Sequence, residues 1–383
     1  MPLPLIAALA LQASAPGAPG TAPALPATAP SLWPVVEGDF IVRDYRFRSG
    51  ETLPEVRLHY ATLGQPHRNA AGEIDNAVMV LHGTGGSGRQ FLSPQFADLL
   101  YGPGQPLDIR RYWIILPDNI GHGRSSRPSD GLRMRFPHYD YDDMVALQHR
   151  LLSEGLGLSH LRLLMGTSMG CMHGFVWGET YPGFARAIMP MACEPVPIVG
   201  LNRMWRQLLI DGIKADPAWM GGDYRTQPAM GLRVASSLSV VAGAAPLSYQ
   251  KLYPTREAAV EAARDKVARD IASRDANDMI YQFDSSRSYD PWPRLETITV
   301  PVMWVNSADD FINPRNFTYP QAALKRMGAQ ARFRLIPETD DTHGHGTHTW
   351  AVNWTQDLVD LLARSEPQTS SERAVRRPAE RNR

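Results

Sequence analysis

The stretch RLLMGTSMGCMHGFVWGETYP, residues 162–182, constrains the fold more than any other part of the chain. A short apolar run (Leu163, Leu164, Met165) stops at Gly166. Thr167, Ser168, Met169 and Gly170 follow, and then a helical pattern begins. Strand, G-x-S-x-G, helix is the sequence of a nucleophile elbow. Its turn is so sharp that the positions two before and two after the serine must be nearly bare. Gly166 and Gly170 meet that need. Ser168 is left with its hydroxyl exposed at the C-terminal end of a strand, beside a helix N-terminus that favours developing negative charge. The five-residue pattern alone also fits an ordinary glycine-rich turn, so the rest of the chain has to decide.

Around this stretch the sequence alternates between strands and helices. Residues 39–64 show period-two alternation and read as an opening antiparallel pair. AVMVLHG at 77–83 and YWIILPDN at 112–119 are continuous apolar runs, as strands buried on both faces should be. DMVALQHRLLSEGLG at 143–157 reads as a helix with Met144, Leu147 and Leu151 on one face, closed by Gly155 and Gly157. AIMPMAC at 187–193, VPVMWVNS at 300–307 and ARFRLIPE at 331–338 supply further strands. TWAVNWTQDLVDLL reads as the final helix, with Ala351, Trp354, Leu358 and Leu361 along one stripe. The alternation predicts an α/β fold with a doubly wound, mostly parallel sheet. The interval 195–290 breaks the rhythm and is too long for a loop. It is expected to form a helical lid over Ser168, dividing the core into 31–194 and 291–365.

The remaining segments and the composition narrow the function classes. Residues 1–30 read as a signal-like leader ending near Ala13-Ser14-Ala15, then a Pro/Ala linker; 366–383 read as a disordered tail. The apolar part of the leader is too short to span a bilayer. The expected location is secreted or periplasmic, or cytoplasmic if the leader is not a signal. Basic and acidic side chains balance at 39 each, which gives no reason to expect nucleic acid. The expected partner is a small acyl substrate, and a homodimer is left open. Cys171 and Cys193, 22 apart, make neither a disulfide framework nor a zinc site. They read as two buried free thiols in preference to a bridge.

A serine hydroxyl needs a base to take its proton and a third group to hold that base. In this topology the acid follows the penultimate strand and the histidine the last one. Asp310 lies four residues before Pro314 at the end of VPVMWVNS and is preferred to its neighbour Asp309. Of the three histidines in ETDDTHGHGTHTW, His345 sits between Gly344 and Gly346 and is the expected base. His348 is expected to open the final helix, and His343 to lie in a loop. The same histidines with Asp341 form a weaker alternative, a metal cluster, but their spacing fits no standard zinc pattern, and no metal is expected. The tetrahedral intermediate needs backbone donors. The expected ones are the N–H groups of Met169 and of Thr84, in the glycine-rich loop His82-Gly83-Thr84-Gly85-Gly86. NIGHGRSS at 119–126 is expected to line the same mouth, with His122 structural. Met204, Trp205, Trp219, Met220 and Met230 offer an apolar lining for the lid, or simply its core. No cofactor-binding pattern appears.

The order Ser, Asp, His resembles that of the α/β-hydrolase superfamily, over about residues 39–365. Within it, FPHYDYDDMVALQHRLLSEGLG, SMGCMHGFVWGETYP, IKADPAWMGGDY and DANDMIYQFDSSRSYD resemble the homoserine O-acetyltransferase-like branch. The likeness implies a helical lid with a tunnel to the serine. Asn202 and Arg206 keep the spacing of a lid pair that lies near the amino-acid substrate in those transferases. The departures are Thr167 and Cys171 in place of two elbow glycines, and the generic NIGHGRSS loop. With the leader, they favour water over homoserine as acyl acceptor. The expected function is ester hydrolysis through an acyl-enzyme. The alternatives are transfer from acetyl-CoA, and a ligand-binding protein that keeps the fold without turnover.

Overall fold

The structure, a computed structural model, describes residues 33–366. The leader and linker expected at 1–30, and the expected tail beyond residue 366, lie outside the described residues.

Eight strands form one sheet: β1 (Val36–Arg46), β2 (Thr52–Leu63), β3 (Ala77–Leu81), β4 (Trp113–Pro117), β5 (Leu163–Thr167), β6 (Ile188–Met191), β7 (Val302–Ser307) and β8 (Ala331–Ile336). Their spatial order is β1-β2-β4-β3-β5-β6-β7-β8. The pairs β1–β2 and β2–β4 are antiparallel, and every pair from β4 to β8 is parallel. Strands β3 to β7 are buried at every residue, as their mainly apolar sequences require of a sheet covered on both faces; the polar Thr167, Asn306 and Ser307 fall at the C-terminal ends of β5 and β7.

Three helices precede β6: α1 (Pro94–Leu100), α2 (Tyr141–Arg150) and α3 (Met169–Thr180). Five lie between β6 and β7: α4 (Gly200–Lys214), α5 (Ala229–Ala242), α6 (Pro246–Leu252), α7 (Arg256–Ala272) and α8 (Ala276–Asp284). Then come α9 (Tyr319–Met327) and α10 (Thr355–Arg364). One face of the sheet packs on α2, α3 and α9 through Met144, Val145, Phe175 and Ala323. The other packs on α1 and α10 through Phe96, Leu100, Leu358 and Leu361. Each of the larger of these side chains, fully buried, contributes about 1.5–3 kcal/mol.

The five helices between β6 and β7 have a core of their own, built from Trp205, Leu209, Ile213, Leu232, Ala235, Met279 and Phe283. Helix α8 joins them to the sheet domain. Its Asp278 accepts from Ser129 N–H at 2.9 Å and Ser129 Oγ–H at 2.7 Å. Gln282 Nε2 donates to Gly121 O at 2.8 Å.

Three sequence expectations are corrected. Helix α2 starts earlier than expected, capped by Asp140, whose carboxylate accepts from Asp143 N–H, and passes into a π turn at Leu151–Gly155. The final helix starts later. Two 3₁₀ turns, Gly344–Thr349 and Ala351–Asn353, come first, so His348 shares a turn with His345 and opens no helix. The cysteines are joined in a disulfide, with Cα atoms 5.9 Å apart. Parallel pairing of β5 and β6 puts Thr167 opposite Met191, so the first turn of α3 meets the residues just after β6. Separation along the chain did not reveal that adjacency. Among the described residues no single helix is long and apolar enough to cross a membrane.

Candidate active site

Ser168 joins β5 to α3 with φ 54° and ψ −109°, a conformation that costs a non-glycine residue about 1–3 kcal/mol. A Cβ on Gly166 would overlap the Gly170 carbonyl, and one on Gly170 would overlap the Leu81 carbonyl of β3. Both positions must therefore be bare. Ser168 N–H donates to Met191 O at 2.8 Å, tying the turn to β6.

The motif order singles out Ser168, Asp310 and His345, and the fold brings these three into hydrogen-bond contact. His345 Nε2 lies 2.8 Å from Ser168 Oγ, and His345 Nδ1 lies 2.8 Å from Asp310 Oδ2. Asp310 is 2% exposed. It also accepts from Ile312 N–H at 2.8 Å, Asn313 N–H at 3.2 Å and Asn313 Nδ2 at 2.9 Å. Burial works against its charge, but the His345 ring and these donors outweigh burial and hold the carboxyl below its usual range. A carboxylate so held keeps the proton on His345 Nδ1 and leaves Nε2 to accept from the serine.

Asp309, the competing acid, does a different job. It accepts from Ser307 Oγ, from Thr342 Oγ1 at 2.8 Å and from Gly344 N–H at 2.8 Å. It thereby pins the loop that carries His345. His343 stacks on Trp350 with ring centroids 4.0 Å apart, and His348 packs edge-on to His345 at 5.3 Å. The three rings point to separate tasks. Among the described residues no group of three His, Cys, Asp or Glu side chains is placed to hold a metal ion.

Met169 is the first residue of α3, so its N–H has no intrahelical acceptor. Thr84 follows Gly83, where a Cβ would stand 3.3 Å from Ser168 Cβ and 3.8 Å from its Oγ. This loop is braced from two sides, with the help of Gln148, His173, Trp177 and Arg274, to which no motif pointed. On one side, Trp177 Nε1 donates to Gln148 Oε1 at 2.7 Å, and Gln148 Nε2 donates to Asn119 Oδ1 and to His173 Nδ1. Asn119 Nδ2 donates in turn to His82 Nε2 at 3.0 Å, and His82 Nδ1–H donates to Gly83 O at 2.8 Å. Burial keeps the His82 ring neutral, although the Asp118 charge pulls the other way. His122 donates from Nδ1 to Ile120 O at 3.0 Å, and burial holds its pKa well below the usual range. On the other side, Arg274 Nη1 donates to Gly85 O at 2.7 Å while its Nε donates to Asp270 at 3.0 Å.

Ser168 opens into a chamber of about 260 Å³. Its apolar wall includes Met172, Val196, Ile198, Phe311 and Phe317; its polar residues include Ser168, His345, Glu194, Asn202, Arg206 and Asn313. One expectation about the lining is corrected, and of the two alternatives for the lid residues the lining one does not hold. The NIGHGRSS loop contributes no residue to the chamber: Ser125 turns inward to bond Asp118 O and His59 N–H, and Gly123 lines a second, polar cavity. Met204, Met220 and Met230 point to solvent and Trp205 belongs to the core of the inserted helices, so none of them lines the chamber. Trp219 instead donates from Nε1 to Asn277 Oδ1 at 3.0 Å. Asn202 and Arg206, one turn apart on α4, do line it, and Arg206 Nε donates to Asn202 Oδ1 at 2.8 Å.

Residues 76–339 match the family model for the alpha/beta hydrolase fold. A probable acyltransferase of Methanothermobacter thermautotrophicus is 29% identical over 288 residues, which cover 74% of this chain and 86% of that protein. A homoserine O-acetyltransferase of Geobacter sulfurreducens is 26% identical over 84% of this chain and 95% of its own length. Among solved structures, an acetylester hydrolase from Corynebacterium glutamicum superposes with a TM-score of 0.74 at 20% identity, over 86% of this chain and 96% of that one. At that identity the likeness speaks for the fold alone.

Proposed function

Because this chain belongs to the α/β hydrolase fold family and is related to homoserine O-acetyltransferases, we propose that it is a serine enzyme that cleaves small carboxylic esters by way of an acyl-enzyme. The observation that carries this reading is the pair of 2.8 Å contacts that join Ser168 to His345 and His345 to Asp310. Ser168 Oγ attacks the ester carbonyl as its proton passes to His345 Nε2. The oxyanion is held by the N–H groups of Met169 and Thr84. Collapse expels the alcohol, which takes the proton from His345. Water then repeats the sequence with His345 as base, releasing the acid and restoring Ser168. The helices between β6 and β7 act as a lid that closes the chamber around the acyl group.

Treatment with a fluorophosphonate probe tests the reading. Wild type should be labelled once and Ser168→Ala not at all; labelling that persists in Ser168→Ala overturns it.

One observation favours a second reading, acyl transfer to a carboxylate-bearing acceptor. Arg206 is 3% exposed and lines the chamber, and among the described residues no carboxylate pairs with it. A buried cation left in this way suits a ligand carboxylate. Transfer also needs an acceptor that outcompetes water. Purified protein given acetyl-CoA and L-homoserine, with free thiol and O-acetylhomoserine followed separately, decides between the two. Matched formation of both supports transfer; rapid ester cleavage without O-acetylhomoserine supports hydrolysis. The disulfide, together with the signal-like leader, also supports a site of action outside the reducing cytoplasm. Recovery of the protein in the cytoplasmic fraction of its native host would refute that location.

A further inference from the structure

Where the Ser168 chamber meets solvent, it is ringed by apolar side chains that the fold leaves in the open. Val199 is 61% exposed, Leu201 53%, Phe311 46% and Phe317 39%, and all four line the chamber. They come from segments far apart in the chain. Val199 and Leu201 stand at the start of α4, whereas Phe311 and Phe317 lie in the loop that runs from Asp310 to α9. A single exposed apolar side chain needs no explanation, but several gathered around one cavity mark a binding site.

The polar side chains of the chamber are already engaged with the protein. Arg206 donates from Nε to Asn202 Oδ1 at 2.8 Å and from Nη1 to Ser286 Oγ at 3.4 Å, and its guanidinium stands 5.3 Å from the Trp205 ring and 5.6 Å from the Phe283 ring. Asn313 Nδ2 donates to Asp310 Oδ2 and to Ala192 O. Glu194 Oε1 accepts from Asn306 Nδ2 at 2.9 Å. The surface left for a substrate is therefore mainly apolar. Its size suits a longer acyl group than acetyl. A volume of about 260 Å³ takes about nine groups the size of a water, at about 30 Å³ each, and a methylene is close to that size. An acetyl group would occupy roughly a third of it. The acyl chain is the part that belongs there, because it stays on Ser168 after the alcohol has left and must be held while water reaches His345.

We propose that the chamber selects esters of medium-length aliphatic acids, with acyl chains of about six to eight carbons whose outer ends rest on Val199, Leu201, Phe311 and Phe317. This inference rests on Ser168 being the nucleophile and on the chamber receiving the acyl group.

The test is a chain-length series. kcat/KM is measured for the nitrophenyl esters of acetate, butanoate, hexanoate, octanoate and decanoate, all below their micellar concentrations. Wild type should gain about fourfold per methylene up to hexanoate and level off near octanoate, where the chain passes out of the chamber. A matched series of alkyl acetates, in which only the alcohol grows, should show no such climb. In Leu201→Ser and in Phe317→Ser the ratio of octanoate to acetate turnover should fall by about tenfold. Acetate as the best substrate, a climb along the alcohols in place of the acids, or a ratio unchanged in both variants overturns the proposal. Fluorophosphonate labelling keeps the two readings apart. If Ser168 is not the nucleophile, labelling survives Ser168→Ala. If only the chain-length selection is wrong, labelling still depends on Ser168 while the series fails to climb. Thermal melting checks that both serine variants are folded, and the wild-type series decides without them.

Discussion

Removing the Cys171–Cys193 bridge with Cys171→Ala/Cys193→Ala should cost the fold about 3 kcal/mol. The bridge closes a loop with a sequence separation of 22. Holding a loop of that size closed in the unfolded chain removes about 11 cal/mol/K of entropy, or about 3.4 kcal/mol at 25 °C. The unfolding entropy of the described residues comes to about 0.7 kcal/mol/K. The melting temperature should therefore fall by about 5 °C. Local geometry should survive better than global stability, because Asn306 also grips this segment. Its Oδ1 accepts from Cys193 N–H, and its Nδ2 donates to Cys193 O at 3.2 Å. Scanning calorimetry of the double variant against wild type, both without reductant, measures the shift, and mass spectrometry verifies the bridge in wild type. If the bridge is present and the two proteins melt within about 1 °C of each other, the entropic account is wrong. The same comparison shows whether ester turnover follows the bridge or only the stability does.

Asp309→Asn should lower kcat by roughly ten- to a hundredfold with KM little changed, because the His345 loop loses an acceptor for Thr342 Oγ1 or Gly344 N–H while the ester site keeps its walls; steady-state kinetics give the split. Glu194→Gln should become more stable relative to wild type as pH rises. The folded protein holds a proton on Glu194 up to about pH 8, which the unfolded chain releases near about 4.3, so wild-type stability falls across that window and levels above it; denaturant titrations at several pH values would trace the difference. Gly166→Ala and Gly170→Ala should each destabilise the protein by about 3 kcal/mol or prevent its soluble expression, since the added Cβ meets backbone and not a movable side chain; solubility and melting temperature report it.

The parts of this molecule that were readable in the sequence are those set by local sterics and by strand order. The elbow was legible because its two glycines face backbone carbonyls that no side chain tolerates at that distance. The central strands were legible because a sheet covered on both faces selects mainly apolar residues along most of each strand. Asp310 and His345 were legible because each follows a strand whose place in the order could be counted. What stayed hidden depends on contacts between distant segments. Gln148 and His173 look like ordinary helix residues until His82 and Asn119 are folded against them. The disulfide appears only once β5 and β6 are paired. Glu194 carries no motif, and its raised pKa follows from burial first and the charge of Asp310 second, both of which depend on the fold. The apolar methionines of the inserted helices misled because composition does not say which face of a helix meets the chamber.

The bond from Arg274 to the Gly85 carbonyl has a consequence for how such a protein can diversify. Arg274 belongs to the short link between α7 and α8, whereas Gly85 belongs to the loop beside the nucleophile. A lineage that exchanged the inserted helices to recognise a new molecule would also discard this prop. Gly85 has φ of +72°, and a Cβ there would collide with the guanidinium, so the glycine is shaped to this one neighbour. New selectivity and undiminished speed would then have to be acquired together, through paired changes at residues 85 and 274. Libraries that randomise only the walls of the chamber would leave this pairing intact, whereas wholesale grafts of the insert would forfeit it.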